Sequence, residues 1–159
     1  MKTIQLHIEY NILQLNELST EVMELFKIAQ EMLEKSYSPY SNFQVAATLR
    51  TSDGKVFSGC NQENASYPLC ICAERVALYN AGTDNKNSII EDLVITARNP
   101  VKKLPNPVSP CGACRQVIFE FEEKQNRSIN IYLKGDDDEI YHLKSATQLL
   151  PLSFSSKVL

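Results

Sequence analysis

The chain has 159 residues, of which 43% are hydrophobic and 22% are charged, as in ordinary soluble globular domains. Its 16 basic and 19 acidic residues give a net charge of −3, which argues against a nucleic-acid-binding surface. No segment approaches the ~18 apolar residues of a membrane-spanning helix, and the first ten residues lack the apolar core of a signal peptide. Five cysteines without a secretory signal favour reduced thiols over disulfides, so we expect a cytoplasmic protein with no membrane partner.

The first half of the chain predicts a strand, a helix and a hairpin in that order. Residues 3–10 alternate between apolar and polar side chains, which predicts a short strand or an extended arm within an N-terminal extension over 1–18. From Thr20 the apolar residues follow helical spacing. Two strand-like runs, 43–50 and 55–61, flank an Asp-Gly pair that is typical of a hairpin turn.

The second half predicts two longer helices and three strands: helices over 72–82 and 112–124, and strands over 92–98, 129–134 and 139–144. Gly82 is expected to end the first of these helices as its C′ residue. Four prolines make 99–110 a loop, and the acidic run at 135–139 lacks the spacing of a calcium loop, so we expect a solvated turn there. A short capped helix over 145–151 and a tail ending at 155–159 complete a single domain over residues 1–159.

This order of elements favours one mixed α/β sheet with helices on both faces. The crossovers through 72–82 and 112–124 should be right-handed and should join parallel strands. Two cysteine clusters, in 68–80 and 109–121, fall where helices begin after strands. Since active sites of such sheets gather at the carboxyl ends of strands, separate helix starts can converge on one point.

The cysteines predict a metal site. Cys111 and Cys114 have the spacing of a metal-binding knuckle, and Cys72 can supply a third ligand. Three protein ligands leave one tetrahedral position open, as in a catalytic zinc site, and helix N-termini favour the thiolates that metal binding requires. Arg75, on the same first turn as Cys72, can offset the negative charge of three thiolates. Glu74, two residues after Cys72, can move protons at such a centre.

Other interpretations of the thiols remain open from spacing alone. A redox pair or buried core cysteines would also place thiols near helix starts, and buried cysteine is usually inert. A non-catalytic zinc module would need a fourth protein ligand, for which Cys70 is the only cysteine in position. Cys60, at the end of a strand with no partner signal, is expected to be structural.

Two of these motifs fit the signature of zinc nucleobase deaminases, which places Cys-x-Glu before Pro-Cys-x-x-Cys. The strings YSPYSNFQV, GCNQENASY, CAER, SPCGACRQV and LLPLSF extend the match over roughly residues 22–155. With them the chain resembles the tetrameric-type cytidine deaminases, which act on free nucleosides. Ala46 stands where that family usually has glycine, which is a minor packing change.

The resemblance implies a three-layer α/β/α sandwich around a five-stranded mixed sheet and one Zn²⁺ per chain, bound by Cys72, Cys111 and Cys114. It also implies that Glu74 is the catalytic proton carrier. In that family the substrate-binding positions correspond to the following residues: Phe43 near the nucleoside, Asn61 and Glu63 on the ribose, Tyr67 lining the site, and the backbone of Ala73 reading the base. A phenylalanine like Phe154 stacks on the pyrimidine from a neighbouring subunit, so a homotetramer with shared sites is expected.

The function that we predict from the sequence is hydrolytic deamination of cytidine and 2′-deoxycytidine to the corresponding uridines. Deamination of another aminopyrimidine, such as the nucleoside antibiotic blasticidin S, is the closest alternative, and the ribose-reading Asn61 and Glu63 argue against it. A nucleic-acid-editing deaminase is disfavoured by the acidic charge balance.

Overall fold

The computed structural model of this chain describes residues 1–84, 87–104 and 106–158. Within this part of the chain, a sheet of six strands lies between helix α1 on one face and helices α2 and α3 on the other. The longer elements have these bounds: β1 Asn11–Leu13, α1 Thr20–Leu33, β2 Gln44–Thr51, β3 Val56–Cys60, α2 Ala73–Asp84, β4 Ile90–Arg98, α3 Gly112–Gln125, β5 Asn130–Lys134 and β6 Ile140–Leu143. The predicted α/β/α arrangement with a mixed sheet is therefore confirmed.

The sheet has the strand order β1-β6-β5-β4-β2-β3, in which β4 and β5 are parallel and the other neighbours are antiparallel. Because β3 and β4 are both antiparallel to β2, they run in the same direction. Both predicted crossovers, through α2 and through α3, therefore join parallel strands, as expected. The consequence is that α2 and α3 both begin at the edge of the sheet where β3 and β4 end.

Of the two alternatives predicted for residues 3–10, the strand was wrong, and an exposed arm agrees with the structure. Residues 3–10 form no strand and are exposed, whereas Asn11–Leu13 pair with β6. An alternating pattern becomes a strand only where backbone partners are available, and the three residues of β1 are the ones that lie beside β6. This pairing gives the sheet six strands, where five were expected.

Helix α1 follows the predicted apolar spacing. The Ser19 hydroxyl caps the helix by accepting a hydrogen bond from the Val22 amide at 3.3 Å. The apolar stripe of α1 packs on one face of the sheet against residues of β2, β4 and β6, and its buried members are Val22, Leu25, Phe26, Ala29 and Leu33. The other sheet face forms a second cluster with α2 and α3, which places the core in two layers.

Helix α2 packs unusually closely on β3. A Cβ atom added to Gly59 would lie 2.6 Å from the Ala77 nitrogen and 2.7 Å from the Ala73 carbonyl oxygen, so only glycine allows this approach. The predicted end of α2 at Gly82 was wrong, since the helix continues to Asp84. Gly82 instead makes room for Phe121 of α3, whose ring lies 3.3 Å from where a Cβ would stand.

Several other predicted elements are confirmed with small shifts. Gly54 has φ +82° in the β2–β3 turn, as a tight hairpin requires. The predicted loop 99–110 contains no helix or strand in its described residues, and one of its prolines, Pro105, lies outside them. Residues 146–148 form a single 3-10 turn capped by the Ser145 hydroxyl. In the described parts of the chain, we find no helix with the length and apolar character needed to cross a membrane.

The acidic turn between β5 and β6 was expected to be a solvated turn, but it also contacts the loop before α3. The Asp136 carboxylate accepts a hydrogen bond from the Leu104 amide at 2.6 Å, and Asp137 forms a 2.8 Å ion pair with Lys103. Gly135 also approaches Asn106 so closely that a Cβ would lie 2.7 Å from its carbonyl oxygen. The turn therefore holds the loop that leads into α3.

Candidate active site

Three cysteine side chains converge where α2 and α3 begin. Cys72 immediately precedes α2, Cys111 is the N-cap of α3, and Cys114 lies on its first turn. Their sulfur atoms all lie within 4.8 Å of one another, with 3.9 Å between Cys72 and Cys111 and 3.5 Å between Cys111 and Cys114. The sheet topology thus brings together ligands that lie 39 residues apart in the chain.

The spacing of these sulfurs fits a zinc ion. Tetrahedral Zn²⁺ with Zn–S bonds of about 2.3 Å places neighbouring sulfurs about 3.8 Å apart, close to the distances between these thiols. The three cysteines are the one such group of potential ligands among the described residues. An all-thiol donor set is typical of zinc, and three ligands leave the fourth position open.

The surroundings of Cys72 favour loss of its proton. Hydrogen bonds from Cys114 and from Arg75, whose Nη2 lies 3.6 Å from the Cys72 sulfur, lower the pKa of Cys72 to about 5 in spite of partial burial. The Cys114 pKa is raised because its thiol donates to Cys72 and is buried. Arg75 therefore lies where it stabilises negative charge on the Cys72 sulfur.

Glu74 is a buried acid beside the thiols. It lies on the first turn of α2 with 4% of its surface exposed, and burial raises its pKa above the ordinary glutamate value. The negative charge of Cys72 raises the pKa further. A raised pKa makes the carboxyl group a better proton acceptor, which is a property that general acid–base catalysis uses.

A cavity of about 190 Å³ joins these groups to the predicted substrate residues. It contains Glu74 and two of the thiols, and its full lining is Phe43, Val45, Asn61, Cys72, Glu74, Ile95, Ala97, Val108, Ser109 and Cys111. The wall is mostly apolar, while the carboxyl and thiol groups are at one end. Such a cavity suits a flat, partly apolar ring that reacts at one position.

Asn61 lines this cavity and also organises its rim. Its Oδ1 accepts hydrogen bonds from the Val45 amide at 2.8 Å and the Ser36 hydroxyl at 2.5 Å, and its Nδ2 donates to the Phe43 carbonyl at 2.8 Å. These contacts fix the backbone from the Phe43 carbonyl to the Val45 amide. One N–H of the Asn61 amide has no protein acceptor among the described residues, so it can reach a ligand.

Glu63 and Tyr67 line a neighbouring cavity of about 330 Å³ together with Tyr40, Ser41 and Cys70. The Glu63 carboxylate accepts hydrogen bonds from the amides of Tyr40 and Ser41 and from the Ser41 hydroxyl. Burial opposes ionisation of Glu63, but these hydrogen bonds outweigh it and hold the pKa of Glu63 below its usual value. The Tyr67 ring is 69% exposed and contacts Tyr40 edge to face at 5.9 Å.

The other two predicted substrate residues differ in position. Ala73 is fully buried at the start of α2, between the thiols and Glu74. Phe154 does not line the cavity of its own chain, and 61% of its surface is exposed. The single chain therefore places the thiols and Glu74 together with Phe43 and Asn61, but it does not bring in Phe154.

The remaining cysteines lie outside the thiol cluster. Cys70 accepts a hydrogen bond from the Asn64 amide at 3.2 Å and donates to the Asn64 carbonyl at 3.6 Å, which ties its sulfur to its own loop. Cys60 is buried at the end of β3, as expected for a structural residue. The geometry thus argues against Cys70 as a fourth ligand.

Several site residues were not anticipated from the sequence. Val108 and Ser109 form part of the cavity wall, and their position directly before Pro110 and Cys111 was the available signal. Arg115 follows Cys114, and its guanidinium donates to the Pro110 carbonyl at 2.7 Å. Hydrophobic periodicity does not predict a side-chain contact of this kind.

Comparison with known protein families agrees with this geometry. Residues 19–127 match the family described as the cytidine and deoxycytidylate deaminase zinc-binding region. The chain belongs to this family. A zinc-binding family together with one three-thiol cluster in the described residues fits one zinc ion per deaminase chain.

Relatives of this deaminase cover most of its length. A cytidine deaminase of Sporosarcina psychrophila is 40% identical over 86% of this chain and 93% of its own, and one of Halalkalibacterium halodurans is 39% identical over 84% and 93%. The crystal structure of cytidine deaminase from Burkholderia pseudomallei has 38% identity and a TM-score of 0.73, covering 86% of this chain and all of that one. The deaminase therefore shares the fold of these proteins over nearly their full length.

Proposed function

We propose that this protein is a zinc-dependent cytidine deaminase that converts cytidine and 2′-deoxycytidine to uridine and 2′-deoxyuridine with release of ammonia, a reaction of pyrimidine salvage. The observation that carries the proposal is the buried carboxyl group of Glu74 in the same cavity as Cys72 and Cys111. Membership of the deaminase family and relatives at about 40% identity support it.

Cys72, Cys111 and Cys114 would hold the zinc, and Arg75 would balance part of their charge through its contact with the Cys72 sulfur. Bound zinc supplies a Lewis acid that makes water a nucleophile at neutral pH. The positive ends of α2 and α3 point towards the same place and favour the thiolates. The protein thus contributes a fixed, negatively charged ligand set at one end of the cavity.

Glu74 carries the protons of the reaction. Its carboxylate accepts a proton from the attacking water, whose oxygen forms a bond to C4 of the pyrimidine, and delivers that proton to N3. Glu74 then takes up the second proton of the oxygen and passes it to the exocyclic amino group. The bond from C4 to nitrogen breaks, and ammonia and the uridine leave. A raised pKa suits an acid that must both accept and donate.

Asn61 and Glu63 would bind the sugar through hydrogen bonds. Asn61 has one free amide N–H at the cavity, and the carboxylate of Glu63 accepts three hydrogen bonds from its own chain and retains capacity for a hydroxyl donor. Phe43 would contact the nucleoside, Tyr67 would line the outer part of the site, and the Ala73 backbone would contact the base. A site built to bind a sugar hydroxyl rejects analogues that leave its polar groups unpaired.

The assembly that we propose is a homotetramer in which Phe154 stacks on the pyrimidine bound by a neighbouring subunit. The exposed ring of Phe154 and its absence from the cavity of its own chain support this arrangement. We also propose a cytoplasmic location, which suits a site made of reduced thiols. The substrate is a free nucleoside, and neither nucleic acid nor a membrane is a partner.

An ultraviolet assay of the purified zinc-loaded protein tests the proposal. We expect cytidine and deoxycytidine to be converted, and cytosine to have a far lower kcat/KM because it lacks the sugar. Deoxycytidine monophosphate and blasticidin S belong in the same panel as competing substrates. Equal kcat/KM for cytosine and cytidine, or faster turnover of blasticidin S, would contradict the proposed substrate.

A further inference from the structure

The C-terminal tail, residues 149–158, is held along α3 by polar side chains of that helix. Gln116 binds the backbone of Phe154 twice: its Nε2 donates to the Phe154 carbonyl at 2.8 Å, and its Oε1 accepts from the Phe154 amide at 3.3 Å. Further along the helix, Glu123 accepts a hydrogen bond from the Ser155 hydroxyl at 2.5 Å. The Gln116 side chain thus satisfies both backbone groups of Phe154, as a neighbouring strand would.

Contacts on both sides of Phe154 reinforce this attachment. Before it, Arg115 donates to the Leu149 carbonyl at 2.9 Å while also binding the Pro110 carbonyl. After it, Lys157 forms a 2.8 Å ion pair with Glu123. The tail is therefore tied to α3 before, at and after the position of its aromatic ring.

This attachment fixes the backbone of Phe154 but does not bury its side chain. The Phe154 ring remains 61% exposed, and Leu152 beside it is 86% exposed. Ordering a chain segment costs conformational entropy, which packing of the ordered side chains normally offsets. Within this chain such packing is largely missing. We therefore expect the ordered Phe154 ring to contact another molecule.

We propose that Gln116 is a positioning residue, whose side-chain amide holds the backbone of Phe154 so that the ring is presented, already ordered, to the cavity of a second copy of this chain. This inference rests on the proposed function, which assigns the stacking role to Phe154. Pre-organisation improves binding because less entropy is lost when the complex forms. Gln116 therefore acts on substrate affinity in the neighbouring site, and it has no contact with the reacting atoms.

Replacement of Gln116 by methionine keeps the length of the side chain and removes both hydrogen bonds. We expect Gln116→Met to raise KM for cytidine by roughly three- to tenfold, with kcat, zinc content and the sedimentation coefficient unchanged. Gln116→Glu keeps the acceptor for the Phe154 amide and loses the donor, so its KM should be intermediate. Glu120→Met is the matched control, because Glu120 is exposed on the same helix and has no hydrogen bond or ion pair with any other residue that the structure describes.

The combination with Phe154→Ala separates positioning from other effects. Phe154→Ala alone should raise KM, and adding Gln116→Met should raise it no further, since no ring remains to be positioned. An additive rise, a loss of tetramer in Gln116→Met, or a wild-type KM in that variant would overturn the positioning role. A wild-type KM in Phe154→Ala would instead overturn the shared site, and a wild-type protein inactive on cytidine would overturn the proposed function.

Hydrogen exchange tests the same contact without any activity measurement. The Phe154 amide should be protected in the wild-type protein and in Glu120→Met, and should exchange faster in Gln116→Met. Equal exchange in all three proteins would show that Gln116 does not hold the tail in solution, and the inference would then be wrong whatever the protein catalyses.

Discussion

Glu74 is an acidic side chain with 4% of its surface exposed, and it forms no ion pair with a basic side chain among the residues that the structure describes. Few buried carboxyl groups persist without compensation, because removing a charge from water is costly. The compensation here is chemical, since the raised pKa that burial produces is also what proton transfer requires. The proposed role of Glu74 in proton transfer would account for its burial.

We therefore expect Glu74→Gln to lose kcat by about 10² or more, the usual scale of general acid–base catalysis. Glutamine has the same shape and cannot carry a proton, so the fold and the zinc content should be retained. Metal analysis and steady-state kinetics on the same sample measure both properties. Near-normal turnover in a zinc-loaded Glu74→Gln protein would remove Glu74 from the mechanism.

The cysteines allow a second comparison between single residues. Cys114 lies within the thiol cluster, whereas the sulfur of Cys70 is bound to the backbone of Asn64. Cys114→Ala should lose the zinc, and Cys70→Ala should retain one zinc ion per chain, as measured by metal analysis after dialysis. A Cys70→Ala protein that lost its zinc would favour a four-ligand structural site.

Among the elements, β3 and the start of α2, which carries Glu74, pack closely because Gly59 has no side chain. Gly59→Ala would place a methyl group within 2.7 Å of backbone atoms of α2, so the helix must shift. We expect destabilisation of about 1–3 kcal/mol, the usual cost of overpacking, together with a fall in kcat. Chemical denaturation and kinetics measure the two effects.

Gly112→Ala provides the control for that substitution. It adds the same methyl group at the start of α3, where nothing lies within 4 Å of the added carbon. Its stability should stay within ~0.5 kcal/mol of the wild type, because surface substitutions are usually that small. If both variants were equally destabilised, close packing would not be the cause.

The sequence predicted most of these elements, and the failures have physical reasons. The stripe on α1 and the apolar runs of β2 and β4 result from burial, which the pattern of apolar residues records directly. The position of β1 and the end of α2 depend on distant partners, β6 and Phe121, which no local pattern contains. The same distinction applies to the site. Cys72, Glu74 and Cys111 carry a spacing signal, whereas Gln116 acquires its role only where the tail lies against α3.

For the whole molecule, the decisive question is which subunit supplies Phe154. If the ring acts in a neighbour's site, an inactive subunit that still has its tail can repair a subunit that lacks the ring. We expect Phe154→Ala tetramers, which have a high KM, to gain a low-KM fraction when subunits are exchanged with inactive Glu74→Gln protein. Kinetics after mild dissociation and reassembly measure that fraction.

A simple mixture without subunit exchange is the control, since it can only dilute the activity. Failure of the reassembled hybrids to show a low-KM fraction, with hybrid formation verified by mass spectrometry, would assign each Phe154 to its own chain. The site would then have to be completed by movement of the tail within one subunit.

Strand β1 affects how readily the protein aggregates. It precedes residue 19, where the match to the deaminase family begins, and it covers the outer backbone groups of β6. A chain shortened to begin at Gln14 would leave β6 as an open edge whose free N–H and C=O groups invite pairing with other molecules. The extension would then protect against aggregation. Its loss should lower solubility and yield and leave the kcat of the remaining folded protein unchanged.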